Sequence, residues 1–311
     1  MTRRTFLLRS SGLVLTAWLS PTILRALTIS RKARSRIGMG TVIFRTRFAS
    51  TKPKDLPPSA HPPPDLTLLS VPEYYRDRFN VSLLEYWSYH FESLERGYLE
   101  KVRDKIRAAG STLVNIQVDT DYNLASTDEP KRRASIAEAK RWIDAAAIVG
   151  TTAIRINPGR GPVETSVASL REVIAYAKSK NLPLLTEDHF GIEMDPDVHL
   201  RLRAEAGPDN IYTLPDFGNY SEDVRWTALE KILPYAWMIS AKGCDFVEKP
   251  DGTLAHTTFD YDRCVQMAER IGFKGVYSVE QWTRQTPTVD FEKIADWLIE
   301  HTAANLRRSD R

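Results

Sequence analysis

The chain has 311 residues, of which 42% are hydrophobic and 27% charged, a balance typical of one large globular domain or two ordinary ones. Its formal net charge of +3 is small for this length, so composition gives no indication of a nucleic-acid-binding surface. The two cysteines, Cys244 and Cys264, do not have the spacing of a metal site, and a disulfide between them is neither predicted nor excluded.

Residues 1–30 have the pattern of an export signal. Arg3 and Arg4 precede a weakly apolar run, as in signals of the twin-arginine export route. Pro21 and Arg25 argue against a membrane-spanning helix in this segment. The sequence therefore predicts an exported, periplasmic protein that contacts the membrane only through its signal.

Beyond the signal, short apolar strands alternate with amphipathic helices. The proline-rich stretch 50–65 predicts a surface loop rather than a helix or a strand. Gly110, Gly150 and Gly272 lie where helix C-termini are expected. Strands are predicted at 36–44, 81–86, 112–118, 153–157, 183–187, 211–214, 236–240 and 275–280, and helices at 66–78, 98–109, 132–149, 167–179, 197–206, 221–233, 261–271 and 291–303.

Eight strand–helix units between residues 36 and 305 predict a single α/β domain with the fold of a (β/α)8 TIM barrel. The alternative is an open doubly wound sheet, which would carry a glycine-rich phosphate-binding turn after an early strand. Gly38 and Gly40 are followed by neither a third glycine nor a helix, so that signal is absent.

Acidic residues end three of the later strands. In a TIM barrel the catalytic side chains come from the C-terminal ends of the strands, and Glu187, Asp216 and Glu280 occupy such positions on strands five, six and eight. Crowded carboxylates repel one another unless protons or a cation compensate. A divalent metal held by oxygen ligands is the simplest compensation, so the sequence predicts these three residues as metal ligands.

Other polar residues at the predicted strand ends are candidates for substrate binding. His90 and His189 either contact a ligand or only pack, and Asn157 either contacts a substrate or caps a turn. A lysine at a strand end is costly to bury unpaired, so Lys242 is expected to have a carboxylate or a substrate as its partner. The predicted substrate-binding set is His90, Arg155, Asn157, His189, Asn219, Ser240 and Trp282.

Four segments make the chain resemble a known family, the xylose isomerase-like barrels, which include sugar and sugar-phosphate isomerases and epimerases. The segments are LTEDHFG at 185–191, LPDFGNY at 214–220, ISAK at 239–242 and YSVE at 277–280. In the epimerases of this family a divalent metal is held by a Glu, an Asp, a His and a second Glu. The resemblance implies Mn²⁺ first, with Mg²⁺, Co²⁺ or Zn²⁺ as alternatives, held by Glu187, Asp216 and Glu280.

The chain departs from the family pattern on strand seven. Where the family shows His-x-Lys, the chain has Ser240 and Lys242, and a serine hydroxyl is a poor ligand for manganese or zinc. Three possibilities remain open: three carboxylates and water hold the metal, His189 supplies the missing ligand, or Lys242 replaces the metal. The related endonucleases use a histidine-rich zinc cluster, and the six histidines of this chain are too scattered to form one.

The resemblance implies a sugar isomerase or epimerase that removes a proton next to a carbonyl group, with a metal stabilising the enediolate. Glu187 and Glu280 are the expected base and acid, and Lys242 and Arg155 are expected to contact substrate oxygens. The expected substrate is a free sugar or a keto-sugar, without a nucleic-acid partner. Two alternatives remain: a lyase or hydrolase acting on keto-glycosides, and a carbohydrate-binding barrel without catalysis.

Overall fold

The computed structural model describes residues 29–53, 65–283 and 289–308. Most of the predicted export signal, residues 1–28, and most of the predicted proline-rich loop, residues 54–64, lie outside these ranges. Within them, no helix is both long enough and apolar enough to cross a membrane. Neither Cys244 nor Cys264 forms a disulfide.

Eight parallel strands form the barrel, which confirms the predicted (β/α)8 fold. The barrel strands are β1 (Ile37–Gly40), β2 (Leu83–Trp87), β3 (Thr112–Val118), β4 (Ile154–Ile156), β5 (Leu184–Glu187), β6 (Ile211–Leu214), β7 (Met238–Gly243) and β10 (Val276–Gln281). Seven of the eight neighbouring pairs are hydrogen-bonded ladders, in the order β6-β5-β4-β3-β2-β1-β10-β7. Two parallel bridges, Thr213 to Ala236 and Asp216 to Ser240, join the β6 and β7 segments and nearly close the circle.

Helices surround the barrel, and local signals set several of their ends. The longest begins where the Asp128 carboxylate accepts a hydrogen bond from the Lys131 N–H, and it ends at Gly150 in the left-handed conformation, φ 83°. In the described part of the chain the helices are α1 (Arg31–Arg34), α2 (Val71–Phe79), α3 (Arg96–Ala108), α4 (Glu129–Val149), α5 (Val163–Ser179), α6 (Pro196–Ala206), α7 (Glu222–Ile232), α8 (Tyr261–Arg270) and α9 (Phe291–Arg308).

The barrel interior changes from apolar at its floor to polar at its mouth. Val114, Ala153, Leu185, Leu214 and Met238 form a small apolar cluster that is separate from the main core between strands and helices. A polar layer lies nearer the mouth and contains Glu85, Asn115, Ser240 and Ser278, all fully buried. Polar side chains therefore lie directly below the charged residues at the C-terminal ends of the strands.

Two local features differ from the predicted elements. The first strand was expected to continue to residue 44, but it ends at Gly40 and the chain turns into short 3-10 turns over Thr41–Arg47. The Thr41 hydroxyl accepts a hydrogen bond from the Trp87 N–H, which fixes this turn over the end of β2. A two-stranded antiparallel hairpin, β8 (Phe246–Glu248) with β9 (Leu254–His256), follows β7 and was not predicted.

Candidate active site

A cavity of about 940 Å³ opens at the C-terminal ends of the strands. We call it the mouth cavity. Trp87, Gln117 and Asp119 form part of its wall together with most of the residues predicted from the sequence. The predicted residues that line it are Arg155, Glu187, His189, Asn219, Lys242, Glu280 and Trp282, whereas His90, Asn157, Asp216 and Ser240 do not line it.

Lys242 joins two of the three predicted metal ligands. Its Nζ donates hydrogen bonds to Asp216 Oδ2 at 3.1 Å and to Asn219 Oδ1 at 2.7 Å, and it lies 3.5 Å from Glu280 Oε1. The lysine is only 5% exposed and Asp216 is completely buried. The ammonium group therefore provides the charge compensation between these carboxylates, and Asp216 holds the lysine from below the cavity surface.

Arg155 connects the third predicted ligand to a carboxylate on β3. Its guanidinium donates two hydrogen bonds to the Asp119 carboxylate, one of them 3.1 Å long. Its Nε lies 2.9 Å from Glu187 Oε2, but this contact lacks the alignment of a hydrogen bond. Trp87 Nε1 also donates to Asp119, at 2.7 Å. Arg155 is therefore hydrogen-bonded to Asp119, whereas its contact with Glu187 is an ion contact without a hydrogen bond.

The protonation of the site follows from burial and from these ion pairs. Burial raises the pKa of Glu187 well above its usual value, Arg155 opposes this, and the charges of Asp216 and Glu280 add to it. For Lys242, burial alone would lower the pKa, but the charges of Asp216, Glu280 and Glu187 raise it overall. The site thus combines a carboxyl group whose pKa is shifted toward the protonated form with a lysine whose pKa is shifted toward the charged form.

A second buried carboxyl group lies beneath Glu280. Glu280 Oε2 accepts a hydrogen bond from Gln117 Nε2 at 3.1 Å. Glu85 Oε1 accepts one from Asn115 Nδ2 at 2.7 Å, and its other carboxylate oxygen has no hydrogen-bond partner in the part of the chain that the structure describes. Burial, followed by the charge of Glu280, raises the pKa of Glu85 to about 7.

The residues present do not fit the predicted metal. Within the described ranges, no three His, Cys, Asp or Glu side chains converge as a possible metal-binding group. Ser240 is fully buried, and no described residue forms a hydrogen bond with its hydroxyl. His189 Nδ1 lies 3.7 Å from Asp119 rather than among the predicted ligands, and burial, with the charge of Arg155, lowers its pKa to about 4. Of the three possibilities left open by the sequence, the geometry matches the one in which Lys242 provides the positive charge.

The predicted residues outside the mouth cavity have other surroundings. His90 is stacked on Phe48 with ring centroids 3.6 Å apart, and its two nitrogens lie 2.9 and 3.0 Å from the hydroxyls of Thr41 and Thr51. Both nitrogens are therefore occupied within the protein. Asn157 Oδ1 accepts a hydrogen bond from the Glu187 N–H at 2.9 Å, which fixes the end of β5.

Three residues with evident roles were not among the predicted site residues. Asp119 and Gln117 follow or end β3, a position that the strand-end rule identifies, but their partners become visible only in the folded barrel. Asp188 is completely buried, and its Oδ1 accepts a hydrogen bond from the Asp216 N–H at 2.9 Å. Asp188 thereby ties the ends of β5 and β6 together.

The fold and the site define the class of protein: a (β/α)8 barrel with carboxyl groups and two cations at the C-terminal mouth. A family model described as "Xylose isomerase-like TIM barrel" matches residues 79–301, and the chain belongs to this family. A search of curated proteins found no match.

Several solved structures share the fold. A xylose isomerase-like TIM barrel protein from Mycobacterium smegmatis, in complex with magnesium, has 16% identity and a TM-score of 0.62, covering 91% of this chain and 98% of that one. D-psicose 3-epimerase from Clostridium cellulolyticum H10, with D-tagatose, has 15% identity and a TM-score of 0.61, covering 88% and 98%. The E. coli 3-keto-D-glucoside 4-epimerase YcjR has 16% identity and a TM-score of 0.59, covering 85% and 98%. At these identities the similarity shows a common fold.

Proposed function

We propose that the protein is a sugar isomerase or epimerase that moves a proton next to a carbonyl group without a bound metal, with Lys242 supplying the positive charge. The observation that carries the proposal is the contact of Lys242 Nζ with Asp216, Asn219 and Glu280 in a cavity that Glu187 also lines. Epimerases among the structures of the same fold support the choice of a sugar substrate.

Glu280 and Glu187 have complementary roles in this proposal. The Glu280 carboxylate, rather than Glu187 as expected from the sequence, takes the proton from the carbon next to the carbonyl, and the electron pair moves onto the carbonyl oxygen. The protonated Glu187, whose pKa is raised by burial, returns a proton to the same carbon on the other face. One proton leaves the substrate and one enters, so the product is an epimer. Exchange with water resets both carboxyl groups.

Lys242 stabilises the oxyanion that forms in this reaction. Two of its three N–H bonds are directed to Asp216 and Asn219, which leaves one for a substrate oxygen. A fixed ammonium group in a largely buried cavity acts on developing charge more strongly than it would in water. Arg155 keeps the end of β4 in place through Asp119 and presents positive charge next to Glu187.

The decisive experiment measures hydrogen exchange. Ketoses and 3-keto-glycosides are incubated with the protein in deuterated water after dialysis against a chelator. We expect deuterium incorporation without cleavage and a decrease of about 10²–10³-fold in Lys242→Met. Lys231→Met, which removes an exposed ion pair with Asp197, is the matched control and should retain full exchange.

Three outcomes would contradict the proposal. Exchange that is lost on chelation and restored by Mn²⁺ would assign the charge compensation to a metal. Release of an aglycone would identify a lyase. Sugar binding without exchange, unaffected by Glu187→Gln, would identify a carbohydrate-binding barrel without catalysis.

We also propose that the protein is exported through the twin-arginine segment, because Arg3 and Arg4 precede a weakly apolar run. A periplasmic location favours unphosphorylated substrates.

A further inference from the structure

A second, smaller cavity adjoins the mouth cavity. It has a volume of about 270 Å³ and lies between the segments that follow β3, β4 and β5. We call it the side cavity. Asp119, His189 and Phe190 line both cavities, so the two spaces are neighbours across these side chains. These three side chains form the boundary between the mouth cavity and the side cavity.

Three residues in the wall of the side cavity carry a buried polar atom that has no hydrogen-bond partner among the described residues. Thr120, Asn157 and Glu193 line it. The Thr120 hydroxyl, Asn157 Nδ2 and Glu193 Oε2 are buried and have no hydrogen-bond partner among the described residues. Asn157 is 7% exposed and Glu193 is completely buried. Because a buried polar group without a partner is unfavourable, three of them in one small cavity indicate a ligand with several hydroxyl groups.

Two of these three side chains, Asn157 and Glu193, are held in place by a hydrogen bond to their other polar atom. Asn157 Oδ1 accepts from the Glu187 N–H, so the Asn157 amide is oriented by the end of the strand that carries the proposed acid. Glu193 Oε1 accepts from the Gly191 N–H at 3.0 Å. Burial raises the pKa of Glu193 to about 7, which allows this carboxyl group to donate as well as to accept hydrogen bonds at neutral pH.

An aromatic side chain marks the border between the two cavities. Phe190 is 57% exposed and has a left-handed backbone conformation, φ 62°, that is unfavourable for a bulky residue. Arg160 Nε donates to the Phe190 carbonyl at 2.7 Å and holds this conformation. An exposed ring fixed at the border is suited to stacking against one face of a sugar.

We propose that the side cavity binds the second, hydroxylated ring of a glycoside whose reacting ring occupies the mouth cavity. This inference rests on the proposed function for the position of the reacting ring. The mouth cavity alone lies near the upper end of the range of about 300–1,000 Å³ found for small-ligand sites, so the two cavities together have room for two rings. The substrate class is therefore a disaccharide or a related glycoside rather than a monosaccharide.

The inference is tested by binding, independently of turnover. Titration calorimetry compares three ligands: glucose, cellobiose, and phenyl glucoside, which has a second ring without hydroxyl groups. We expect cellobiose to bind more tightly than the other two ligands. Thr120→Val, which replaces a hydroxyl by a methyl group of similar size, should weaken cellobiose binding about fivefold and glucose or phenyl glucoside binding less than twofold.

Additional variants keep the test decisive if one of them folds poorly. Thr120→Phe fills part of the side cavity and should abolish the advantage of cellobiose over glucose. Glu193→Gln keeps the acceptor for Gly191 and should weaken only cellobiose binding. Thr227→Val on the exposed face of α7 is the control and should have no effect.

The result also separates this inference from the proposed function. Cellobiose binding that is no tighter than glucose binding, or an equal loss for all three ligands in Thr120→Val, would overturn the side-cavity assignment. Selective cellobiose binding without hydrogen exchange on any keto-sugar would leave the glycoside assignment standing and refute the isomerase chemistry.

Discussion

Arg155 contacts two carboxyl groups, and exchanging each for its amide should have opposite effects. Glu187 has a pKa raised by burial, and its 2.9 Å contact with Arg155 is not aligned as a hydrogen bond. Glu187→Gln therefore removes little favourable interaction, and we expect the free energy of unfolding at pH 7 to be unchanged or higher. Turnover should nevertheless fall by about 10²–10⁴-fold, because an amide cannot deliver a proton to carbon.

Asp119→Asn is the matched comparison. Burial alone would raise the pKa of Asp119, but the Arg155 guanidinium outweighs it and holds the pKa below its usual range. The change removes the charge that two Arg155 hydrogen bonds and one Trp87 hydrogen bond depend on. Breaking a buried ion pair costs about 3–5 kcal/mol. Because the Asp119 side chain is 20% exposed, we expect Asp119→Asn to lower the free energy of unfolding by about 2–3 kcal/mol.

The pH dependence of stability provides the second part of this experiment. A carboxyl group with a raised pKa in the folded state contributes stability below its unfolded pKa, which is about 4.3, and this stability is lost as pH rises. Urea unfolding is followed by tryptophan fluorescence between pH 4 and 8. The free energy of unfolding of Glu187→Gln, relative to that of the wild type, should rise as pH increases. If Glu187→Gln lowered the free energy of unfolding as much as Asp119→Asn does, the reasoning would be refuted, because Glu187 would then be an ionised partner of Arg155.

Two further predictions concern protonation and export. Glu85 has its pKa raised to about 7, so Glu85→Gln, which preserves the acceptor for Asn115, should be more stable than the wild type at pH 8 by up to about 3 kcal/mol and equally stable at pH 4. If urea titrations showed the same pH dependence of the free energy of unfolding for the wild type and for Glu85→Gln, this prediction would be wrong. Changing Arg3 and Arg4 together to lysine should retain the chain in the cytoplasm, and cell fractionation that still finds it in the periplasm would exclude the twin-arginine route.

The sequence was sufficient for the architecture because each strand is a short apolar run followed by a helix with its own end signals. Gly110, Gly150 and Gly272, predicted at helix C-termini, all have left-handed backbones, with φ of 67°, 83° and 81°. The hairpin of β8 and β9 was missed because its strands have three residues each, and Val247 is 49% exposed, so no apolar periodicity marks them.

The pairing of charges could not be predicted from the sequence. Strand ends identified Glu187, Asp216 and Glu280 as neighbours, but they did not show which cation contacts which carboxylate. Arg155 lies between Asp119 and Glu187 because β4 has β3 and β5 as neighbours, and the length of the arginine spans both. The sequence pattern also left the role of His90 open, since its stacking partner Phe48 directly follows the 3-10 turns after β1, and these turns were not predicted.

Protons and two cations together explain how this barrel accommodates so many carboxyl groups, although its described residues form no metal-ligand group. Buried carboxylates repel unless they are neutralised, and Glu187 and Glu85 are shifted toward their neutral forms, while Lys242 contacts Asp216 and Glu280. The family pattern on strand seven carries this lysine as well, so the departure in this chain is Ser240 alone, at the position where the pattern has an imidazole.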